Sequence, residues 1–177
     1  MLIDLHCHTR PLSACSALTA AELVSLACER GLDGICLTEH DRAWDAGELA
    51  ELRESAPIRV FSAVELTTDM GHVLAFGLDP SGFSAIARAV FAAAEASGGV
   101  LFLAHPARDG LLRVTHETLA ASGLAKGFRL PGIAGSDAHT RDEVGRAATR
   151  FAYPVTTDGE LLRELLAGRY EAAAVER

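Results

Sequence analysis

The sequence predicts an α/β fold in which short strands alternate with helices around a mainly parallel sheet or barrel. Short apolar runs rich in β-branched residues recur along the chain and are followed by stretches with helical periodicity. Thr19 and Glu22 form a capping box before one such stretch, and Thr157 and Glu160 form another. The first of these helices is expected to end at Gly31, a residue typical of helix ends. In such folds the active site lies where the carboxyl ends of the strands meet.

The predicted strands are the apolar runs bounded by turn residues: Leu2–Thr9, Gly34–Thr38, Ile58–Leu66, His72–Gly77, Val100–Ala104, Leu111–Val114 and Tyr170–Val175. The predicted helices lie between these runs, over residues 19–31, 45–55, 84–97, 115–125 and 157–168. Gly132 to Gly135 leads into Ser136–His139, which we expect to be a further strand tip carrying Asp137 and His139.

The composition favours an ordinary globular protein with a single domain over residues 1–177. Apolar residues make up 49% and charged residues 23% of the chain, and no repeat or linker divides it. The formal net charge of −8 argues against a nucleic-acid partner, although bound divalent cations would reverse the local field. No apolar run approaches the roughly 20 residues that span a bilayer, so we expect no membrane partner. The absence of a signal peptide and of a CxxC pair predicts a cytoplasmic protein with free thiols.

Imidazole and carboxylate side chains recur where the predicted strands end. His6 and His8 are two positions apart, so in a strand they point to the same side. The full set at strand ends is His6, His8, His40, Glu65, His105, Asp137 and His139. Any one of these histidines could be an ordinary core residue, and Glu65 could be a salt-bridge partner. Their joint occurrence favours a cluster for zinc, manganese or iron, in which a carboxylate can bridge two ions.

The same residues form a series of motifs that resembles a known family. The motifs are His6-Cys7-His8-Thr9, Thr38-Glu39-His40, Glu65, His72, His105-Pro106 and Gly135-Ser136-Asp137-Ala138-His139. In this order and over nearly the whole chain they resemble the PHP family (polymerase and histidinol phosphatase domains). The resemblance implies a distorted, seven-stranded βα barrel similar to a TIM barrel, two or three divalent metal ions and phosphoesterase activity.

The resemblance also implies how the ligands are shared among the ions. A first metal would be held by a set of four side chains: His6, His8, Glu65 and Asp137. Glu65 would bridge to a second metal that also takes His72 and His105. A third metal would take His40 and His139.

Two features depart from the family pattern. Ala14 stands where an acidic ligand of the third site is expected, and Cys15 beside it could substitute as a thiolate that favours zinc or be an ordinary loop thiol. The segment between His105 and Asp137 is short, so one βα unit is expected to be lost or abbreviated over residues 107–131.

Several polar residues beside the motifs have a less specific pattern. Arg10 and Arg108 could grip a substrate phosphate or be surface arginines. His116 lies outside every motif and is expected at the surface. Glu39 and Asp41, which flank His40, are expected to hydrogen-bond to ligands rather than to bind metal.

The expected function is hydrolysis of a small phosphomonoester or nucleotide by a hydroxide that the metal ions activate. Glu65 would bridge the ions, Arg10 or Arg108 would orient the phosphate, and His40 or His139 would protonate the leaving group. The alternatives are a 3′–5′ exonuclease and a metal-binding domain that has lost catalysis. We expect a small phosphorylated substrate as the partner, and the sequence does not indicate an oligomeric state.

Overall fold

The computed structural model describes residues 1–78, 87–105 and 132–175. In this part of the chain seven strands alternate with four helices. The strands are β1 (Leu2–Cys7), β2 (Gly34–His40), β3 (Arg59–Thr68), β4 (Gly71–Phe76), β5 (Val100–Leu103), β6 (Ala147–Phe151) and β7 (Tyr170–Ala174). The helices are α1 (Ala20–Glu29), α2 (Ala46–Ser55), α3 (Ala87–Ser97) and α4 (Asp158–Ala167).

The seven strands form one curled, half-barrel sheet in the order β5-β4-β3-β2-β1-β6-β7. Only the β1–β2 and β2–β3 pairs are parallel, and the other four pairs are antiparallel. The expectation of a mainly parallel sheet is therefore wrong. Part of the reason is the tight turn at Asp69 and Met70, because a parallel pair needs a long crossover connection and a turn of this length can only reverse the chain.

Strand β2 shows why the sequences of the central strands are continuously apolar. Ile35 and Leu37 pack on one side of the sheet with Leu23 of α1, whereas Cys36 packs on the other side with Phe61. Both faces of this strand are covered, so alternation of apolar and polar residues is not required. The buried core thus extends across both sides of the sheet, and polar side chains are left to its ends.

The helix starts follow the capping signals, with one difference. At α1 the Thr19 hydroxyl accepts from the Glu22 amide, and the Glu22 carboxylate accepts from the Thr19 amide, which confirms the capping box. At α4 the Thr157 hydroxyl accepts from the Glu160 amide, but the Glu160 carboxylate takes the amide and hydroxyl of Thr156. The second box is therefore only half formed, since the neighbouring threonine offers two donors to the same carboxylate.

The segment before His139 is not a strand, contrary to expectation. Residues 132–137 have no regular structure, yet they run beside the end of β1. The Asp137 amide donates to the His6 carbonyl at 2.9 Å, and the His8 amide donates to the Ala138 carbonyl at 3.1 Å. A Cβ atom on Gly135 would lie 2.5 Å from the His6 amide nitrogen, so glycine permits this close approach.

Strand β6 was not predicted from the sequence. It pairs with β1 only at Leu2 and Ile3. Further along β1, the segment before His139 lies in the position beside the strand. The predicted strand at Leu111–Val114, the predicted helix over residues 115–125 and the abbreviated region 107–131 lie outside the described residues. Within the described ranges, no helix combines the length and the hydrophobicity needed to cross a membrane.

Candidate metal centre

Neighbouring strands deliver imidazole and carboxylate side chains to one end of the sheet. His6 lies in β1 and His8 directly follows it, while His40 ends β2. Glu65 in β3 is the parallel register partner of His40, so the two side chains share one face. His72 in β4 opposes Thr67, two positions beyond Glu65 and therefore on the same face.

Glu65 lies at the centre of these side chains and is fully buried. Its Oε2 atom is 3.1 Å from His6 Nε2, 3.0 Å from His8 Nε2 and 3.3 Å from His40 Nδ1. Its Oε1 atom is 3.0 Å from His72 Nδ1 and 3.0 Å from His105 Nε2. The two oxygens of one carboxylate thus contact two different sets of histidines.

Asp137 completes the set around Glu65 Oε2. Its Oδ1 atom is 3.4 Å from His6 Nε2 and 3.3 Å from His8 Nε2, and 3.6 Å from His139 Nδ1. Ligand atoms of His6, His8, Glu65 and Asp137 all lie within 4.8 Å of one another. Two further groups meet the same limit. One consists of His8, His40 and His139, and the other of His40, Glu65 and His72.

This donor set fits divalent metal ions. The Nε2 atoms of His6 and His8 are 3.0 Å apart, and both approach the same carboxylate oxygen. Converging lone pairs of this kind repel unless a cation or a proton lies between them. Imidazole and carboxylate are the ligands of zinc, manganese and iron. The site residues therefore match the metal centre that the motifs imply.

The charges in the site are strongly coupled. Burial opposes ionisation of Glu65, but hydrogen bonds from His6 and His8 outweigh it and hold the pKa of Glu65 far below its usual range. The pKa of Asp137 is also lowered, because the His8 hydrogen bond and the charges of His6 and His139 outweigh the effect of burial. Burial alone would lower the pKa of His8, but Asp137 and Glu65 raise it to about 9. A metal ion must therefore displace a proton from His8.

The pKa of His40 is shifted in the opposite direction to that of His8. Burial and the charge of the neighbouring His8 lower the pKa of His40. Its side chain is 28% exposed and that of His139 is 23% exposed, whereas His8 is fully buried. His40 and His139, together with His72, whose side chain is 31% exposed, thus form the more open side of the cluster.

The two acids that flank His40 make hydrogen bonds and belong to none of the three groups. Glu39 accepts from the amide and hydroxyl of Thr9, from the Ser13 hydroxyl and from the Trp44 indole. Asp41 accepts from the amide and hydroxyl of Thr67 at 2.7 and 2.8 Å, so its partner is not a predicted ligand.

Asp4 was not recognised from the sequence as part of this site. It is fully buried and accepts from the Ser136 amide at 2.8 Å, the Ser136 hydroxyl at 2.5 Å, and more distantly from the amides of His6 and Gly145. Burial raises the pKa of Asp4, against the lowering effect of the Ser136 hydrogen bonds. Asp4 thereby anchors the segment that carries Asp137. The sequence feature that could have indicated this role is the charge of Asp4 inside the apolar run of β1.

The backbone is left-handed at three non-glycine residues next to the cluster. Asp41 has φ 53°, His105 has φ 27° and Asp137 has φ 53°. Aspartate and histidine adopt positive φ more often than most non-glycine residues, but such a conformation is uncommon for both. Backbone of this kind is held by its surroundings and concentrates at functional sites.

The remaining predicted site residues are Cys15, Arg10 and Arg108. Cys15 is exposed, and none of the three groups includes it. Arg10 is about half exposed, and its guanidinium is 3.8 Å from Glu22, which Arg141 also approaches at 3.8 Å. Arg108 and His116 lie outside the described residues.

Solved structures share this fold. A two-domain protein from Bacteroides vulgatus ATCC 8482 that contains a predicted PHP-like metal-dependent phosphoesterase matches with a TM-score of 0.73 and 22% identity over 99% of this chain. This chain spans 65% of that protein, less than two thirds of its length. PsfC from Pseudomonas syringae PB-5123 matches with a TM-score of 0.64 and 20% identity, over 98% of this chain and 91% of PsfC.

A third structure is that of a candidate metal-dependent phosphoesterase from Bifidobacterium adolescentis ATCC 15703. It matches with a TM-score of 0.54 and 18% identity, over 94% of this chain and 96% of its own. At these identities the likeness concerns the fold. Comparison with the curated proteins gave no match.

Family comparison covers most of the sequence. Residues 116–170 match a family described as PHP-associated. Residues 4–139, which include every residue in the three groups, match the family described as PHP domain. With the His, Glu and Asp cluster assembled at one end of its sheet, this chain belongs to the PHP family.

Proposed function

We propose that this protein is a metal-dependent phosphoesterase that hydrolyses a small phosphomonoester or nucleotide. The observation that supports this proposal is the arrangement around Glu65, whose two buried oxygens contact separate sets of histidines. A carboxylate with this surrounding is suited to bridge two cations, and paired cations are a common device for phosphoryl hydrolysis.

Two ions would be held by different sides of Glu65. His6, His8 and Asp137 would bind one ion together with Glu65 Oε2, and His72 and His105 would bind the other together with Oε1. When bound, divalent ions supply Lewis acidity toward phosphoryl oxygens and an activated water as nucleophile.

The more open side of the cluster suits proton transfer to the leaving group. His40 and His139 are partly exposed, so a substrate can reach them. An imidazole can hold a proton and donate it to a departing alkoxide. In this proposal either His40 or His139 performs that step when no third ion takes them as ligands.

Arg10 is our candidate, among the described cations, for orienting a phosphate. It follows His8 by two positions, and its contact with Glu22 is long and exposed. Ion pairs of this kind contribute little to stability, so the guanidinium can exchange its partner for a phosphate group. The net charge of −8 favours a small substrate over a long nucleic acid.

The test combines metal content with turnover. Protein purified without chelator should carry two or more equivalents of zinc, manganese or iron by elemental analysis. It should hydrolyse p-nitrophenyl phosphate, and a chelator should abolish the activity. A metal content at or below one equivalent, unchanged after adding manganese or zinc, would contradict the two-ion site.

The same preparation separates the alternatives. Release of mononucleotides from a single-stranded oligonucleotide, without turnover of phosphomonoesters, would indicate an exonuclease. Two bound ions with no turnover of either substrate would indicate a metal-binding domain without catalysis.

A further inference from the structure

Ser13 lies where three parts of the site meet, although it belongs to no motif. Ser13 is buried, with 1% of the residue exposed. It is 2.5 Å from Glu39 Oε2, 3.3 Å from His8 Nδ1 and 3.3 Å from the His40 amide nitrogen. One loop hydroxyl therefore contacts a buried carboxylate and two residues of the histidine cluster.

The direction of these hydrogen bonds follows from the partners. A hydroxyl has one hydrogen to donate and two lone pairs to accept with. The short contact to the Glu39 carboxylate uses the hydrogen, and the His40 amide, which can only donate, uses one lone pair. The remaining lone pair faces His8 Nδ1, so this nitrogen must carry the hydrogen.

Glu39 is itself held by donors on both oxygens. Oε2 also accepts from the Thr9 amide at 3.0 Å, while Oε1 accepts from the Thr9 hydroxyl and from the Trp44 indole at 3.0 Å. Glu39 therefore cannot turn to offer a different atom without leaving buried donors unpaired. The orientation of the Ser13 hydroxyl is set by this fixed carboxylate.

We propose that Ser13 is a positioning residue that, together with Glu39, holds His8 with its hydrogen on Nδ1 and its Nε2 lone pair directed into the metal centre. The Nε2 atom is the one that faces Glu65 and Asp137. Carboxylates commonly orient metal-binding histidines directly. Here the carboxylate acts through a serine hydroxyl.

This inference rests on the metal centre of the proposed function, but not on phosphatase activity. It is tested on the zinc-loaded full chain by long-range proton–nitrogen NMR of labelled histidines and by zinc affinity in competition with a chelator. In the wild type, His8 should show a protonated Nδ1 and a zinc-bound Nε2. Zinc on Nδ1 of His8 would overturn the proposal, whatever the variants do.

The variant is Ser13→Ala, and Ser16→Ala is its matched control. Ser16 lies in the same loop and its buried hydroxyl donates to the His8 carbonyl at 2.8 Å, so it contacts the backbone of His8 and not the ring. Ser13→Ala should lower zinc affinity by about 10- to 100-fold and populate a second state of the His8 ring. Ser16→Ala should keep the wild-type ring state and affinity.

The outcomes separate this proposal from the proposed function. If the wild type binds no zinc, both fail. If it binds two equivalents and Ser13→Ala, folded by circular dichroism, keeps both affinity and ring state, only the role of Ser13 is overturned. Equal losses in the two variants would assign the effect to loop packing and would also overturn it.

Discussion

Glu65 and Glu39 lie on neighbouring strands, are both fully buried, and have opposite surroundings. Around Glu39 every neighbour is a hydrogen-bond donor: two hydroxyls, an amide and an indole. Around Glu65 the neighbours are imidazole nitrogens, each of which is an acceptor unless it is protonated. Glu39 is thus satisfied by the chain alone, whereas Glu65 requires protons or cations on its partners. The same side chain has a structural role in one place and, in the proposed function, binds ions in the other.

The largest effect is expected from Glu65→Gln. The substitution keeps the size of the side chain but removes the charge that holds two cations close together. We expect kcat on a phosphomonoester to fall by on the order of 10³ or more, a loss of about 4 kcal/mol in transition-state stabilisation. The fold should persist, because the hydrophobic core is apolar and Glu65 belongs to the polar cluster at one end of the sheet. Turnover within tenfold of wild type, measured with excess manganese alongside circular dichroism, would show that Glu65 is not the bridge.

Glu39→Gln should mainly lower the stability of the fold. An amide presents one NH2 group toward partners that are themselves donors, so at least one buried donor loses its acceptor. We expect a loss of about 1–3 kcal/mol in the free energy of unfolding. Urea denaturation followed by the emission of Trp44, the only tryptophan in the chain, measures this loss at the affected contact. A variant as stable as wild type would refute the structural role assigned to Glu39.

The pH dependence of the stability of the metal-free protein tests the surroundings of Glu65 without a substitution, and a smaller effect is expected. The folded pKa of His8 is about 9, above its ordinary 6.5, so its contribution is complete below pH 6.5 and is lost as pH rises through 9. The pKa values of Glu65 and Asp137 are lowered from 4.5 and 3.8, so their contributions are present above those values and are lost at lower pH.

The metal-free protein should therefore have its highest Tm between about pH 5 and 6.5. Metal-loaded protein should not lose Tm between about pH 7 and 9, since the ion replaces the proton on His8. Thermal denaturation with and without chelator across this range makes the comparison. A metal-free Tm that keeps rising through pH 9 would contradict the raised pKa of His8.

The smallest effect is expected from Cys15→Ser. The thiol is exposed and lies outside the three groups, so metal content and zinc selectivity should remain at wild-type values. Rapid alkylation of Cys15 in metal-loaded protein should accompany this result. A drop in metal content would instead support the thiolate ligand that the loop sequence left open.

Prediction from the sequence succeeded where the signal was local. The α1 capping box spans four residues, and the strand that carries His6 and leads into His8 is a single apolar run. The antiparallel pairing of β6 with β1 was not accessible in this way, because it depends on contacts between distant parts of the chain. The Ser13–Glu39 contact was equally hidden, since the two residues are 26 positions apart and a loop serine has no periodic pattern. Whether the assembled residues bind metal remains a prediction.

The position of β1 also has a consequence for how the protein is made. Asp4 and Ser136 are 132 positions apart, and their hydrogen bonds hold the segment that carries Asp137 against His6. The amino-terminal histidines are synthesised first, but their last partner leaves the ribosome only after most of the chain. Contacts so distant in sequence are slow to form. An ion that required all four side chains of the first group could bind only after the segment with Asp137 has been synthesised and folded. Such an ion would then stabilise folded molecules over partly synthesised ones.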